Sequence, residues 1–554
     1  MSHEIELKFQ VPAERLTALR RAVGGRGSRR LVLAARYFDT ADERLARGRA
    51  ALRLRLEGER KGERKGEGKG DGKGDGKGEG HGQAWVQTLK AEGAHTLQRL
   101  EHNVPLPPAV APAELPPGTL PDTTRHQGHP AGERLQALLG DAPLTEQYRT
   151  TIRRTTRRVA HQGAVLELAL DEGEIVAGAQ RLPVCELEIE LVEGPLAALL
   201  DLAGAWAARH GLWIDVRSKS ERGHRLAALD GALARGEPPP PWPVASARAQ
   251  PLPADRRPDA VARAWVAQAL TPALANAAVL ADGPQARPEH LHQLRVALRR
   301  LRTLFRHFGA MWPAGALAAP GEDLAALFRA LGAARDADVL AGGLAQALAE
   351  AGAPAAALPA PAEGQPAVAL LRTAEAQRLW LALMALAWVE PRISYPAPVP
   401  AHSPAAPPTA AAAAPQPALQ ADNTPLADQL TPPLRRLDRQ VRRAAARSDS
   451  LDDEGLHRLR RRIKQLRYAL DSTAALWPAR PLARRLKRLA AAQEALGDLN
   501  DLLLALADSR ARAAQVPEAW FAVGWLSARL AGQRAAAARP LARLAALKSW
   551  PPKV

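Results

Sequence analysis

Along the first 230 residues apolar and charged side chains alternate with a period of two. Glu4-Ile5-Glu6-Leu7-Lys8-Phe9, Ala51-Leu52-Arg53-Leu54-Arg55-Leu56, Val165-Leu166-Glu167-Leu168-Ala169-Leu170-Asp171 and Cys185-Glu186-Leu187-Glu188-Ile189-Glu190-Leu191 each put charge on one face and aliphatics on the other. That is the pattern of a strand with two unlike faces. Helical spacing interrupts it near residues 12–23, 132–139 and 195–210, so the pattern predicts an α+β domain dominated by antiparallel sheet. After residue 258 the periodicity turns helical and stays so, which predicts an all-α second half.

Three stretches break both periods. Residues 58–82 repeat Gly-Lys-Gly-Asp/Glu units with nothing apolar to bury, and read as a flexible insertion within a domain. Residues 231–258 include Pro238-Pro239-Pro240-Pro241 and read as an extended linker. Residues 352–428 are Ala/Pro-rich around one apolar segment and read as a long loop holding one helix. The expected domains are therefore 1–230 and 259–545.

Composition narrows the class. The 554 residues are 46% hydrophobic but only 4% aromatic, an Ala/Leu-rich mixture that favours helices. The single cysteine, Cys185, excludes an intramolecular disulfide and a cysteine metal cluster, and fits a reducing, cytoplasmic setting. The chain opens without a basic-then-apolar leader. Its longest aromatic-aliphatic run, residues 379–389, falls short of the ~20 residues that span a bilayer, so no membrane partner is expected. The formal charge is +18, of which residues 1–250 carry +4 and residues 251–554 carry +14. An Ala/Leu-rich half with that excess suggests helices with an anion-binding face; a merely solubilising excess is the plainer alternative.

The charges on the strands gather on one face, and several of these faces are nearly pure in sign. Glu4, Glu6 and Lys8 share a face, as do Arg53 and Arg55, Glu186, Glu188 and Glu190, Glu167 and Asp171, and Arg99 and Glu101. One strand of this kind is ordinarily a solvated sheet face. Acidic strands beside basic ones make better sense when they close into a barrel with the charges inside and helices over the aliphatic faces. Carboxylates suit Mg²⁺ or Mn²⁺ and Arg and Lys suit phosphate oxygens, which together are the needs of a metal-assisted phosphoryl site.

The opening Glu4-Ile5-Glu6-Leu7-Lys8 resembles the ExExK signature of the CYTH, or triphosphate tunnel metalloenzyme, superfamily. Tyr37-Phe38-Asp39-Thr40, Leu52-Arg53-Leu54-Arg55, Thr88-Leu89-Lys90, Arg99-Leu100-Glu101, Leu168-Ala169-Leu170-Asp171-Glu172-Gly173, Glu186-Leu187-Glu188-Ile189-Glu190 and Ser218-Lys219-Ser220-Glu221-Arg222-Gly223 follow in the family's order. The resemblance implies an eight-stranded antiparallel tunnel barrel that hydrolyses a triphosphate with Mg²⁺ or Mn²⁺. By the same resemblance Glu4, Glu6, Asp171, Glu188 and Glu190 would hold metal. Lys8, Arg53, Arg55, Arg99, Arg154 and Lys219 would bind substrate, and Lys90 and Glu101 would position the water. Arg149 and Arg154 cannot share a face of a regular strand, and Arg154 is preferred by similarity to the family's Phe-x-Arg pattern.

The helical half contains a repeat. His292-Gln293-Leu294-Arg295 with Arg299 and Arg302 recurs as His457-Arg458-Leu459-Arg460 with Lys464 and Arg467, an offset of 165 residues that also links Leu331-Gly332 to Leu496-Gly497 and Asp336 to Asp501. Positions i, i+3, i+7 and i+10 lie on one helix stripe, so each copy sets a histidine and three cations on one face. Core histidines with solvated arginines are the plain alternative. Aromatics are not interleaved with these cations, which argues against single-stranded nucleic acid read by stacking. The module resembles the CHAD domain, a conserved-histidine α-helical domain of two related bundles. The resemblance implies inorganic polyphosphate as ligand, held by His292, Arg295, Arg299, Arg302, His457, Arg460, Lys464 and Arg467. The whole reading is an inorganic triphosphatase joined to a polyphosphate-binding domain. Its rivals are nucleoside or thiamine triphosphate hydrolysis, adenylate cyclisation, and a non-catalytic polyphosphate scaffold.

Overall fold

A computed structural model of the chain describes residues 3–59, 84–107, 115–116, 118–247, 252–253, 256–283, 285–339, 345–357, 367–389 and 426–551. The expected 58–82 insertion lies outside the described residues except at its first two positions, as does the 390–425 part of the Ala/Pro-rich stretch. The chain divides into two compact units. The first is Met1–Pro243 with Ala281–Ala286 and Leu371–Leu381; the second is Val244–Leu280, Arg287–Leu370 and Ala382–Val554.

In the first unit nine strands occur in chain order: β1 (His3–Gln10), β2 (Arg29–Asp39), β3 (Ala50–Glu59), β4 (Ala84–Glu92), β5 (Gln98–Pro105), β6 (Thr145–His161), β7 (Ala164–Ala177), β8 (Gln180–Glu193) and the two-residue β9 (Trp213–Ile214). They pair antiparallel in the order β5-β4-β3-β2-β6-β7-β8-β1-β9, and β1 also pairs β5. That last pairing, Glu4 opposite Arg99, closes an eight-stranded barrel with β9 as a flank. Closure leaves no long edge open to other chains.

Register explains why the charges turn inward. Directly opposed residues share a face, and the pairs are Glu6–Glu190, Lys8–Glu188, Tyr37–Arg53, Ala51–Lys90, Lys90–Glu101, Arg154–Asp171 and Asp171–Glu186. The alternate residues, including Leu7, Phe9, Leu52, Leu89, Leu168, Leu187 and Ile189, are buried. Helices α1 (Leu16–Val23), α3 (Pro130–Leu139) and α4 (Leu196–His210) occupy the three segments of helical spacing, with the four-residue α2 (Arg44–Arg47) between α1 and α3. Leu45 of α2 and Ala131, Leu135 and Leu139 of α3 bury Leu52 and Leu89 from outside. One end of the interior is apolar: Leu33, Tyr37, Tyr148, Ile152, Ile175 and Val184 pack with Leu226 of α5 (Lys219–Ala234). Thus α5 plugs that end, its first turn set by a capping box of Ser218 and Glu221.

The expected extended linker begins differently. Trp242 stacks beneath the guanidinium groups of Arg217, at 4.9 Å, and Arg225, at 5.5 Å, so the proline run is laid back on α5 within the first unit.

The second unit is helical throughout its described residues: α6 (Pro258–Asp282), α7 (Pro288–Phe308), α8 (Ala318–Val339), α9 (Ala345–Glu350), α10 (Ala367–Leu371), α11 (Ala374–Trp388), α12 (Leu426–Ala445), α13 (Asp453–Ser472), α14 (Ala479–Ala513) and α15 (Ala519–Ala545), with the short segments around 281–286 and 371–381 assigned to the first unit. The 165-residue repeat maps α7 and α8 onto α13 and α14. Among the described residues the helix long and apolar enough to cross a membrane is α6 rather than residues 379–389, and 72% of its most apolar window is buried.

Candidate functional site

The barrel encloses a cavity of about 270 Å³ lined by six carboxylates (Glu4, Glu6, Glu101, Asp171, Glu188, Glu190) and seven cations (Lys8, Arg53, Arg55, Lys90, Arg99, Arg154, Lys219). All thirteen side chains singled out in this half by the sequence therefore meet in one space. Tyr37, Thr150, Asn103, Ser218 and Ser220 complete its polar wall.

The two signs are interlocked rather than separated. Lys219, entering from the first turn of α5, bonds Glu186, Glu188 at 2.9 Å and Asp171 at 2.6 Å. Arg154 grips Asp171 through Nε and Nη2 at 2.6 Å each and reaches Glu188 at 2.5 Å. Arg149, the rejected alternative, lies outside the cavity on Glu146. Lys90 spans Glu4 at 2.5 Å and Glu101 at 3.2 Å, Lys8 bonds Glu6, and Arg99 stands 3.9 Å from Glu6. Arg53 donates to Tyr37 Oη at 3.0 Å, and Tyr37 stacks on Tyr148 with centroids 4.6 Å apart.

These surroundings decide the charge states. Burial raises the Glu101 carboxyl, but Lys90 and Arg53 outweigh it and leave it at about 2, fully ionised at neutral pH. Glu188 is held well below the ordinary carboxylate range because Lys219 and Arg154 overcome its burial. Glu190 goes the other way, to about 7, through burial and the charges of Glu4 and Glu6. Arg55 is lowered to about 10 by burial and by Arg53 beside it.

A divalent cation fits this lining. Asp171, Glu186 and Glu188 offer carboxylate oxygens within 4.8 Å of one another, an oxygen-only donor set of the kind Mg²⁺ or Mn²⁺ takes. Crowding of Glu190 by Glu4 and Glu6 is a second negative focus that a cation would relieve. Glu186 had not been singled out as a ligand, although it shares the face of Glu188 and Glu190. It is 1% exposed and bonded by both Lys219 and Arg222, which the linear pattern cannot show.

The second unit brings the repeat stripes together. α7 packs on α13, where Arg300 lies over the Tyr468 ring at 5.4 Å and stands 3.8 Å from Asp471. Arg295, Arg299 and Arg302 surround one ring, that of Phe328 on α8, at 4.8, 5.4 and 4.6 Å. No aromatic is interleaved with the cations on the stripe itself; the ring comes from the neighbouring helix. Its counterpart 165 residues on is Gln493, which accepts from Arg467 at 3.3 Å. The first Leu-Gly landmark lies close to the stripe, since a Cβ at Gly332 would be 3.0 Å from the Arg295 guanidinium, whereas one at Gly497 would make only ordinary contact with Arg460 at 3.8 Å. His457 Nδ1 meets Asn500 Oδ1 at 2.6 Å, Arg460 stands 3.9 Å from Asp501, and His292 is exposed, so neither histidine of the repeat is a core residue. The Asp336 side chain lies outside the described residues. Lys464 is lowered to about 7 by burial, Arg299 and Arg460.

A closed antiparallel barrel with a charged bore, joined to a duplicated helical domain, defines a two-domain class of protein. The CYTH domain model matches residues 2–223 and the CHAD domain model residues 264–508, so the chain carries a CYTH domain followed by a CHAD domain. It is 30% identical over 90 residues to an inorganic triphosphatase of Haemophilus influenzae, an alignment covering 16% of this chain and 26% of that relative. The chain thus spans about a quarter of the length of that relative. Among solved structures it is similar to the CHAD domain from the plant Ricinus communis, with 26% identity, a TM-score of 0.42, and coverage of 56% of this chain and 98% of the other. It is also similar to a putative adenylyl cyclase from Hippeastrum described as having a dominant triphosphatase activity, with 18% identity, a TM-score of 0.26, and coverage of 43% and 98%.

Proposed function

We propose that the barrel hydrolyses inorganic triphosphate to phosphate and diphosphate with Mg²⁺ or Mn²⁺, and that the helical unit binds inorganic polyphosphate. The observation that carries the first half is the barrel cavity with seven cations and six carboxylates in its lining. A space of that volume, with charges from seven of the eight barrel strands and from α5 in its lining, suits a compact polyanion better than a base or a thiazolium ring.

In this reading Lys8, Arg53, Arg55, Arg99, Arg154 and Lys219 take the phosphate oxygens, and the buried arginines offer planar pairs of donors to them. Glu4, Glu6, Asp171, Glu188 and Glu190, with Glu186, hold the divalent ion, which when bound polarises phosphoryl oxygens and offsets their charge. Glu101 stays ionised and accepts hydrogen bonds from the attacking water, while Lys90 fixes Glu101 in place. The cationic lining stabilises charge that builds on the equatorial oxygens in the transition state. The relative named as an inorganic triphosphatase supports this substrate over others.

The test is phosphate release from inorganic triphosphate, ATP and thiamine triphosphate with each metal, for wild type and for Glu4→Ala with Glu6→Ala. Fast, metal-dependent release from inorganic triphosphate, lost in the double variant, is expected. Retention of polyphosphate without hydrolysis of any triphosphate would leave the scaffold as the function.

A further inference from the structure

On α13 the amine of Lys464 stands among arginines of two helices. Arg460 precedes it by one turn on the same helix, and four-apart side chains are neighbours. Arg299 acts on it from α7, with Arg295 behind. The two helices are pinned together one turn further on, by Arg300 over Tyr468 and against Asp471. Among the described residues no carboxylate lies within ion-pair distance of Nζ, and the acid that acts on it, Asp501, lies 3.9 Å from Arg460.

An amine half-buried among cations is driven to its neutral form, because both desolvation and like charge penalise the ammonium. Burial, Arg299 and Arg460 bring Lys464 to about 7. An ordinary lysine, titrating near 10.4, is an unreactive cation at neutral pH, whereas this nitrogen keeps a lone pair there. Its neighbours select the reagent. Guanidinium groups take phosphate by paired hydrogen bonds, so a small molecule with a phosphate next to an electrophilic carbon would be anchored with that carbon at the amine.

We propose that Lys464 is an acylation site, modified by acyl phosphates whose phosphate is held by Arg299 and Arg460. The proposal rests on the anion-binding reading of this face. The Nζ lone pair attacks the carbonyl carbon and a C–N bond forms. The C–O bond to phosphate breaks, phosphate departs with the electron pair, and the nitrogen gives its extra proton to solvent. No oxidant or reductant is needed. The amide that results has no charge, so the modification removes one cation from the face and weakens its hold on a polyanion.

The full-length protein is treated at pH 7.5 with acetyl phosphate or with acetic anhydride, which has no phosphate, and modification is followed site by site by mass spectrometry. Exposed Lys487 and Lys548 serve as internal references. With acetyl phosphate, Lys464 is expected to react on the order of tenfold faster than these references. That preference should exceed the one seen with anhydride, shrink in Arg299→Gln, and be suppressed by long-chain polyphosphate. A rate at Lys464 no greater than at the references, or equal preferences with the two reagents, overturns the proposal without need of any variant. Binding of long-chain polyphosphate to untreated protein, measured by filter retention, separates the two ideas. Polyphosphate that binds while Lys464 reacts unselectively sinks the acylation alone; selective reaction without polyphosphate binding sinks the polyphosphate reading and leaves the acylation standing.

Discussion

At the scale of single residues, His126 shows how a buried hydrogen bond sets a protonation state. Gln87 Oε1 accepts from the Asp122 backbone N–H at 3.0 Å and its Nε2 donates to the Asp122 carbonyl at 2.8 Å, which fixes the amide's orientation. Its other Nε2 hydrogen faces His126 Nε2 at 3.0 Å, so that ring nitrogen is an acceptor. Neutral His126 therefore carries its hydrogen on Nδ1 and gives it to His102 Nδ1, 3.0 Å away. Adding a proton to His126 breaks the Gln87 bond, and burial together with His102 and His129 accordingly lowers its pKa to about 4. An unfolded histidine takes up its proton near 6.5. Between those values the unfolded chain binds more protons, so stability is intact above about pH 6.5 and falls as the pH drops towards 4. The loss is expected to be on the order of 2 kcal/mol, read as a lower urea midpoint for the barrel at pH 5 than at pH 7.5. His126→Gln should remove most of that difference, and an equal drop in the variant would show that other groups cause it.

At the scale of elements, α5 is the part whose seating governs the cavity. A Cβ at Gly223 would fall 2.2 Å from the Tyr148 ring, so only glycine allows α5 to approach β6 this closely. Tyr148 leans on Tyr37, and Tyr37 holds Arg53. Gly223→Ala is expected to cost about 1–3 kcal/mol through overpacking and to raise KM for triphosphate, because it displaces both Lys219 and the Tyr148–Tyr37–Arg53 stack. Melting temperature and steady-state kinetics check this, and wild-type values of both would show that α5 is not held as described. The strands that alternate cleanly, such as β1, β3 and β8, were readable from sequence because one face is wholly charged. Strand β2 did not stand out: Leu33, Ala35, Tyr37 and Phe38 are all buried, so both of its faces are apolar near its end and the period is lost. The shared face of Glu4, Glu6, Lys8, Arg53, Arg55, Arg99, Glu101, Asp171, Glu188 and Glu190 followed from parity, whereas Lys90, Arg154 and, on α5, Lys219 were named only by resemblance. The role of Glu186 depends on Arg222 arriving from α5, 36 positions away, and no spacing rule conveys that. Phe328 had a legible signal, since it stands three residues before the Leu331-Gly332 landmark, but its value lies in an α7–α8 packing that linear order does not give.

At the scale of the whole molecule, each unit has cores of its own, one around Leu52 and Leu89 and another around Leu506 and Leu526. Calorimetry is therefore expected to resolve two transitions. Triphosphate with metal should raise only one and long-chain polyphosphate only the other. Each shift should be about 5–10 °C at a hundredfold excess over Kd, since such binding adds about 2.7 kcal/mol. A single transition moved by both ligands would contradict separate sites. The barrel interior has a further consequence. Its cations are already in the company of acids: Lys219 with Asp171, Glu186 and Glu188, Arg154 with Asp171 and Glu188, Lys90 with Glu4 and Glu101. An arriving polyanion must take these cations away from their carboxylates, so loading the bore is ion exchange rather than simple addition. The acids set free in the exchange are the ones a divalent ion would claim. Each ligand clears the ground for the other, and two species of opposite charge should load more tightly together than either does alone.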